Sequence, residues 1–105
     1  IQYTSGANGS SDHVEGYNCY TGGSYLPANH AEGYQTRATG GIAHSEGYNT
    51  HAKGSGSHAE GYYTEANGTY SHTEGNYTVA SGQFSHVGGK FNVIDSYDNL
   101  YNWAA

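Results

Sequence analysis

The 105-residue sequence has no methionine, one cysteine, one proline and only three lysine or arginine residues. Because nine acidic residues outnumber those three cations, nucleic acid is not an expected partner. No apolar run reaches the ~18 residues of a transmembrane helix and no signal peptide is visible, so no membrane insertion is expected. A single cysteine cannot form a disulfide within the chain. Aliphatic residues are too few to fill an ordinary globular core.

Histidine, glutamate and glycine recur at a fixed spacing. The motif His-x-Glu-Gly occurs five times, and a degenerate sixth copy begins at His86. From His30 to His86 the motif histidines are 14 residues apart. A short fixed period is typical of chains that stack similar coils, each in contact with its neighbours. Because a catalytic centre needs one unique pocket, this repetition predicts no enzyme, no catalytic residues and no cofactor.

A second strip, Thr-x-Ala-x-Gly, lies midway between the motifs, as in Thr64-Glu65-Ala66-Asn67-Gly68. Each coil therefore has two halves, in which five residues alternate between small and variable side chains and two residues link to the next half. Alternation in a strand places the small residues on one face and the variable residues on the other. We predict an all-β chain of tight 14-residue coils with two short strands each, with small residues inside and histidine and glutamate outside.

The period is interrupted in one coil and ends before the C-terminus. His13 and His30 are 17 residues apart. We place the additional residues in a loop at about 24–29, which contains the only proline, because proline cannot donate to a strand ladder. A repeat domain over 1–96 is then followed by 97–105, a cap over the open end of the coils or the start of another domain. The absence of an initiating methionine and a repeat already running at the first residues predict a piece of a longer polypeptide.

Aromatic residues are mostly tyrosines in the linking pairs. Because successive coils lie about 4.8 Å apart, such tyrosines should stack into ladders along the corners, each ring pair adding on the order of 0.5–1.5 kcal/mol. Rings of this kind also stack on sugars, and Tyr25 in the long loop and Trp103 near the end are the candidate glycan contacts.

The pattern Ser-x-Ala-x-Gly-x-x, twice per coil, resembles the head repeats of YadA-like trimeric autotransporter adhesins. Residues 57–93 are more similar to SHAEG-repeat segments of phage and prophage tail fibres, with the sequence SHAEGYYTEANGTYSHTEGNYTVASGQFSHVGGKFNV. The resemblance covers about residues 5–93 and implies a left-handed parallel β-roll that assembles as a homotrimer. Adhesin heads carry valine and isoleucine at the even positions of the strip, where this chain has histidine and glutamate.

In that family the even-position residues pack between subunits, so the resemblance implies a polar trimer interface. Carried over, the interface consists of His13, Glu15, His30, Glu32, His44, Glu46, His58, Glu60, His72, Glu74 and His86. Imidazoles would donate to carboxylates across it, which would make association depend on pH.

Two further expectations concern metal binding by the histidines and the position of His51. Three-fold symmetry would bring imidazoles together on an axis, so His30, His44, His58 and His72 are the candidate metal ligands. A ladder of hydrogen bonds accounts for the periodicity more directly, and we therefore expect no metal. His51, at an even position of the other strip, is expected to face solvent.

Three functions fit these patterns. The first is a rigid spacer and adhesive segment of a trimeric phage tail fibre or bacterial surface adhesin, in a virion or at a cell surface, with a glycan or protein receptor. The alternative is a self-assembling extracellular filament module with no ligand of its own. Ice binding ranks last, because it requires outward rows of threonine and the threonines here fall on the inward face.

Overall fold

The computed structural model describes residues 11–22 and 28–94, together with the backbone of residues 103–104. The secondary structure of this part is entirely β. The strands on the motif half are β1 (His13–Tyr17), β3 (His30–Tyr34), β5 (His44–Tyr48), β7 (His58–Tyr62), β9 (His72–Thr73), β11 (His86–Val87) and β13 (Trp103–Ala104). Those on the other half are β2 (Tyr20–Thr21), β4 (Arg37–Ala38), β6 (His51–Ala52), β8 (Glu65–Ala66), β10 (Val79–Ala80) and β12 (Val93–Ile94).

Each strand from β1 to β11 pairs in parallel with the strand two places further along the chain. The odd-numbered strands form one sheet and the even-numbered strands form a second, each in sequence order. The chain is therefore a β-solenoid of about six coils. Equivalent residues lie side by side, as His44 pairs with His58 and Glu46 with Glu60. The predicted all-β architecture with 14-residue coils and two strands per coil is confirmed.

Small side chains fill the space between the two sheets. In the motif sheet the fully buried positions are Ala31, Ser45, Ala59, Thr73 and Val87. The second sheet buries Ala38, Ala52, Ala66 and Ala80 opposite them. The histidines and glutamates of the motifs are partly exposed on the outer face, so the predicted inward and outward faces are confirmed. Neighbours such as Ser57 and His58 accordingly point to opposite faces, as expected for a strand.

Threonines form another interior column, which begins with the cysteine. Thr36, Thr50, Thr64 and Thr78 are buried, so these threonines do not form an outward row. Cys19 occupies the equivalent position of the first described coil and is fully buried, with its thiol 3.3 Å from the carbonyl oxygen of Gly33. Its predicted role as a small buried residue is confirmed.

The glycine of each motif is required where the strand reaches the corner. Gly47 and Gly61 have φ values of +114° and +113°, a region that residues with a side chain rarely adopt. A Cβ atom on Gly61 would also overlap the carbonyl oxygen of Gly75 in the next coil. Glycine therefore lets the chain turn and lets adjacent coils approach to strand spacing.

The longer coil returns to register after its insertion. Tyr20 pairs with Arg37, and the backbone nitrogen of His13 donates to the carbonyl of Asn29, so the three additional residues lie between Gly22 and Asn29. Residues 23–27, most of the expected loop, lie outside the described residues.

At the other end of the chain, β13 pairs with β11, so the backbone of the motif sheet continues to Ala104. Residues 95–102 lie outside the described part, and the cap expected there stays a prediction.

The corner geometry predicts unequal effects of alanine at two glycines. Gly61→Ala combines backbone strain with overlap against a backbone oxygen, and should lower the free energy of unfolding by about 3 kcal/mol or more. Gly88→Ala is the matched control, because its Cβ would meet nothing nearer than the Glu74 side chain at 3.4 Å. Its effect should stay within about 1 kcal/mol. Urea denaturation followed by circular dichroism measures both, and equal losses would contradict the assigned corner role.

Candidate functional site

The outer face of the motif sheet carries a continuous row of histidine and glutamate, the eleven residues predicted above for the subunit interface. We call this row the His/Glu ladder. Each carboxylate lies beside imidazoles of its own coil and of the next, as Glu32 Oε1 is 3.4 Å from His30 Nε2 and 3.3 Å from His44 Nε2. In the central coils these side chains are 34–38% exposed. The ladder is therefore a half-buried polar surface within a single chain.

One hydrogen bond repeats along the ladder and joins successive coils. Because an ionised carboxylate can only accept, the imidazole Nε2–H donates to the glutamate of the preceding coil. The Nε2–Oε1 distances are 3.1 Å for His58–Glu46, 3.0 Å for His72–Glu60 and 2.9 Å for His86–Glu74. The pairing that the sequence led us to expect between subunits thus forms within one chain. The packing of this face against another subunit stays a prediction.

The imidazole rings stack on one another along the same row. From His30 to His86 the centroids of successive rings are 4.5–4.8 Å apart and their planes differ by 1–9°. His13, at the first described coil, meets His30 edge-on at 77°. From His44 to His86 the rings are therefore held both by stacking and by their bonds to carboxylates, which fixes their orientation.

This geometry limits what metal the ladder of one chain can bind. A zinc ion lies about 2.0–2.1 Å from each histidine nitrogen, so two such nitrogens on one ion are at most about 4.2 Å apart. Parallel rings such as His44 and His58, with centroids 4.7 Å apart, keep their Nε2 atoms at about the same separation and aim their lone pairs in the same direction. One chain therefore offers a single imidazole and a single carboxylate to an ion at each coil, although three ligand groups cluster there. A metal at His30, His44, His58 or His72 would therefore need further ligands, from water or from other chains, and the site stays a prediction.

Tyrosines confirm the predicted corner ladder. Tyr17, Tyr34, Tyr48 and Tyr62 stack with centroids 4.7–5.0 Å apart and planes within 2–13° of each other. A second stack runs through Tyr63 and Tyr77. Of the candidate glycan contacts, Tyr25 and the side chain of Trp103 lie outside the described residues.

The prediction for His51 is wrong, because its side chain is buried. Only 8% of the residue is exposed, and Nε2 lies 2.9 Å from the hydroxyl of Thr39. Burial lowers the pKa of this imidazole to about 4, and the positive charges of Arg37 and Lys53 contribute in the same direction, against the opposing charge of Glu65. The alternation correctly placed His51 on the outer face, where it lies beside Arg37 and Glu65 of the adjacent coils.

The outer face of the second sheet also contains a groove that sequence reasoning missed. It has a volume of about 260 Å³ and is lined by Asn18, Tyr20, Gln35, Arg37 and Asn49. We call it the amide groove. The signal was present in the spacing: Asn18, Gln35 and Asn49 are all second linking residues of a motif half.

Comparison with known proteins yields no relative. The sequence matches no protein-family model, and it is similar to no curated protein and no solved structure at a significant level. Nor does the described part contain a helix long and apolar enough to cross a membrane.

The ladder bond predicts an altered titration of Glu74. The hydrogen bond from His86 lowers the pKa of this carboxyl, and the nearby charges of His72 and His58 act in the same direction against a smaller effect of burial. The carboxyl ¹³C signal of Glu74 should therefore titrate below its ordinary value of 4.5, and His86→Ala should raise the midpoint. His13→Ala is the control, because that ring is far along the ladder. An unchanged midpoint in His86→Ala would show that the bond does not persist in solution.

Burial of His51 predicts a loss of stability in acid. Its pKa in the folded protein, about 4, lies below the unfolded value of 6.5, so between these pH values the unfolded chain binds a proton that the folded chain does not. Stability should fall as pH drops from 6.5 to 4, by up to about 3 kcal/mol from this group. His51→Gln keeps a hydrogen-bonding group for Thr39 but removes the titration, and should show a smaller loss between pH 7 and pH 4.5.

All other titratable groups are the same in both proteins, so the difference between their pH profiles isolates His51. His13→Gln, at a site whose side chain is 60% exposed, is the matched control and should follow the wild-type profile. Parallel profiles of wild type and His51→Gln would contradict the assignment.

Proposed function

We propose that the chain is a structural and adhesive segment of a trimeric phage tail fibre or bacterial surface adhesin. It acts outside the cell as a rigid spacer that presents a receptor-binding surface, and it folds as a left-handed parallel β-roll in a homotrimer. The observation that carries this proposal is the unbroken register of side chains over successive coils. Such an array builds a long, uniform surface, which suits a spacer and an assembly interface. The likeness of the repeat to SHAEG and YadA-like segments supports the same function.

The rigidity of the spacer is supported by bonding between every pair of adjacent coils. Backbone hydrogen bonds of 2.8–2.9 Å join the strand starts of the motif sheet from His30 to His72. Imidazole and tyrosine stacks run parallel to them along the same axis. Each coil contacts only its neighbours, and these contacts run along the axis of the solenoid. Bending the solenoid would therefore lengthen the hydrogen bonds and ring stacks on its convex side.

The trimer is supported by the state of the carboxylates in the His/Glu ladder. Burying a free carboxylate against another subunit carries a large desolvation penalty, whereas one that already accepts a hydrogen bond loses less. Glu46 and Glu60 each accept such a bond from the next coil. The tyrosine ladder beside them adds exposed aromatic rings, a residue type enriched in protein interfaces. This face is therefore the one that another copy would cover.

The trimer predicts a defined mass that depends on pH. Light scattering should give about 33 kDa, three times the 11.1 kDa of one chain. Association should be tighter at pH 5.5 than at pH 8, because protonated imidazoles neutralise the carboxylates that three ladders bring together. Glu60→Arg alters the ladder and should yield monomers. Glu65→Arg, on the outer face of the second sheet, makes the same charge change and should stay trimeric.

Other masses would reject the trimer. A monomer at every pH would contradict it directly. A mass that grows without limit as concentration rises would favour the alternative, a self-assembling filament module.

A further inference from the structure

The amide groove is confined to the first described coils, unlike the ladders. The second linking residue of the motif half is an amide in Asn18, Gln35 and Asn49, but the next equivalent position is Tyr63. The neighbouring strand position likewise changes from Arg37 to His51 in the following coil. The coil itself does not require these residues, since later coils fold without them. A local ligand would account for their grouping.

The three amide side chains have no hydrogen-bond partner among the described residues. Their backbones are held in the left-handed region, with φ values of 55° or 56°, and the backbone N–H groups of Gln35 and Asn49 donate to the preceding coil at 2.8 Å. The main chain is thus fixed while each side chain keeps a carbonyl acceptor and an NH₂ donor for another molecule. Three such groups on successive coils match a ligand with several hydroxyl groups.

Arg37 gives the groove an uncompensated positive charge. It is the only arginine of a chain with net charge −6, and no carboxylate in the described part lies within ion-pair distance of it. The adjacent His51 is neutral at physiological pH, and Lys53 in the next coil already has Glu65 at 3.9 Å. A guanidinium binds a carboxylate through two parallel hydrogen bonds. The charge therefore fits one carboxylate better than a phosphate group, which favours several cations.

Tyr20 provides the remaining surface of the groove. The residue is 44% exposed, and its hydroxyl has no partner in the described part of the chain. A tyrosine ring offers an apolar face together with a polar tip, a combination that suits the apolar face and the hydroxyl groups of a sugar ring.

We propose that the amide groove binds a carboxylate-bearing sugar, a sialic or uronic acid residue of a surface glycan. Arg37 holds the carboxylate, the amides of Asn18, Gln35 and Asn49 bind hydroxyl groups, and Tyr20 packs on the ring. This site deepens the adhesive part of the proposed function, on which it rests.

The test is a titration of the purified chain with 3′-sialyllactose and with tri-galacturonic acid, with lactose as the neutral probe. Calorimetry gives the dissociation constants, and ¹⁵N-resolved NMR locates the perturbed amides. At least one acidic probe should bind 10-fold or more tightly than lactose and shift the side-chain signals of the groove. Neither acidic probe binding better than lactose would overturn the proposal.

Substitutions separate a built site from general charge attraction. Arg37→Gln should weaken binding of the acidic probe at least 10-fold, and Asn49→Asp, which tolerates the left-handed backbone, should weaken it by repelling the carboxylate. Lys53→Gln removes the same charge from the same outer face one coil away and should change binding less than two-fold. Equal losses in Arg37→Gln and Lys53→Gln, or no loss in Arg37→Gln, would overturn the site. Matching melting curves confirm that the variants are folded.

The outcome is independent of the trimer. A trimer that does not bind acidic sugars would contradict the sugar site in the groove but not the spacer function. A monomer that binds them would retain the groove and reject the assembly.

Discussion

Parallel stacking at the spacing of one strand is the constraint on which the whole structure depends. It places every residue beside its own equivalent in the next coil, as at His44 and His58. The coil of 14 residues is so short that only small side chains fit between its two sheets, and only glycine allows the close corner at Gly61. Stability therefore comes from continuous ladders and close packing of small groups, and much less from large apolar side chains.

Stacking identical residues on successive coils stabilises some types of side chain and destabilises others. Aromatic rings gain from self-stacking, and the corner tyrosines use this directly. Carboxylates repel when stacked, so a column of glutamate needs compensation. The imidazoles supply it, because from His44 onward each one donates to the carboxylate of the preceding coil, as His72 does to Glu60. Histidine and glutamate therefore recur together for a reason internal to one chain, whatever else the surface binds.

Sequence periodicity predicted the coils, the buried face and the tyrosine stacks, because these follow from the fixed spacing and from strand alternation. Alternation alone does not tell how far a neighbour reaches, and for this reason His51 was wrongly placed in solvent. Alternation also does not tell which neighbour an outward side chain contacts. For this reason the bond from His58 to Glu46 was expected between subunits, whereas it is found within the chain. The amide groove was missed because its residues come from three coils and combine strand positions with linking positions.

In the proposed adhesive function, ligand specificity arises where the chain departs from the repeat. Residues that the coil requires, such as the corner glycine Gly61, cannot vary without disturbing their neighbours, so they cannot be adapted to a ligand. Arg37 is not under that requirement, because the next coil holds His51 in its place. Three-fold assembly would multiply such a groove, and weak sugar binding at three identical sites is converted by multivalency into strong attachment. In the proposed function, the repeated residues make the segment stiff, and the few residues that depart from the repeat bind the sugar.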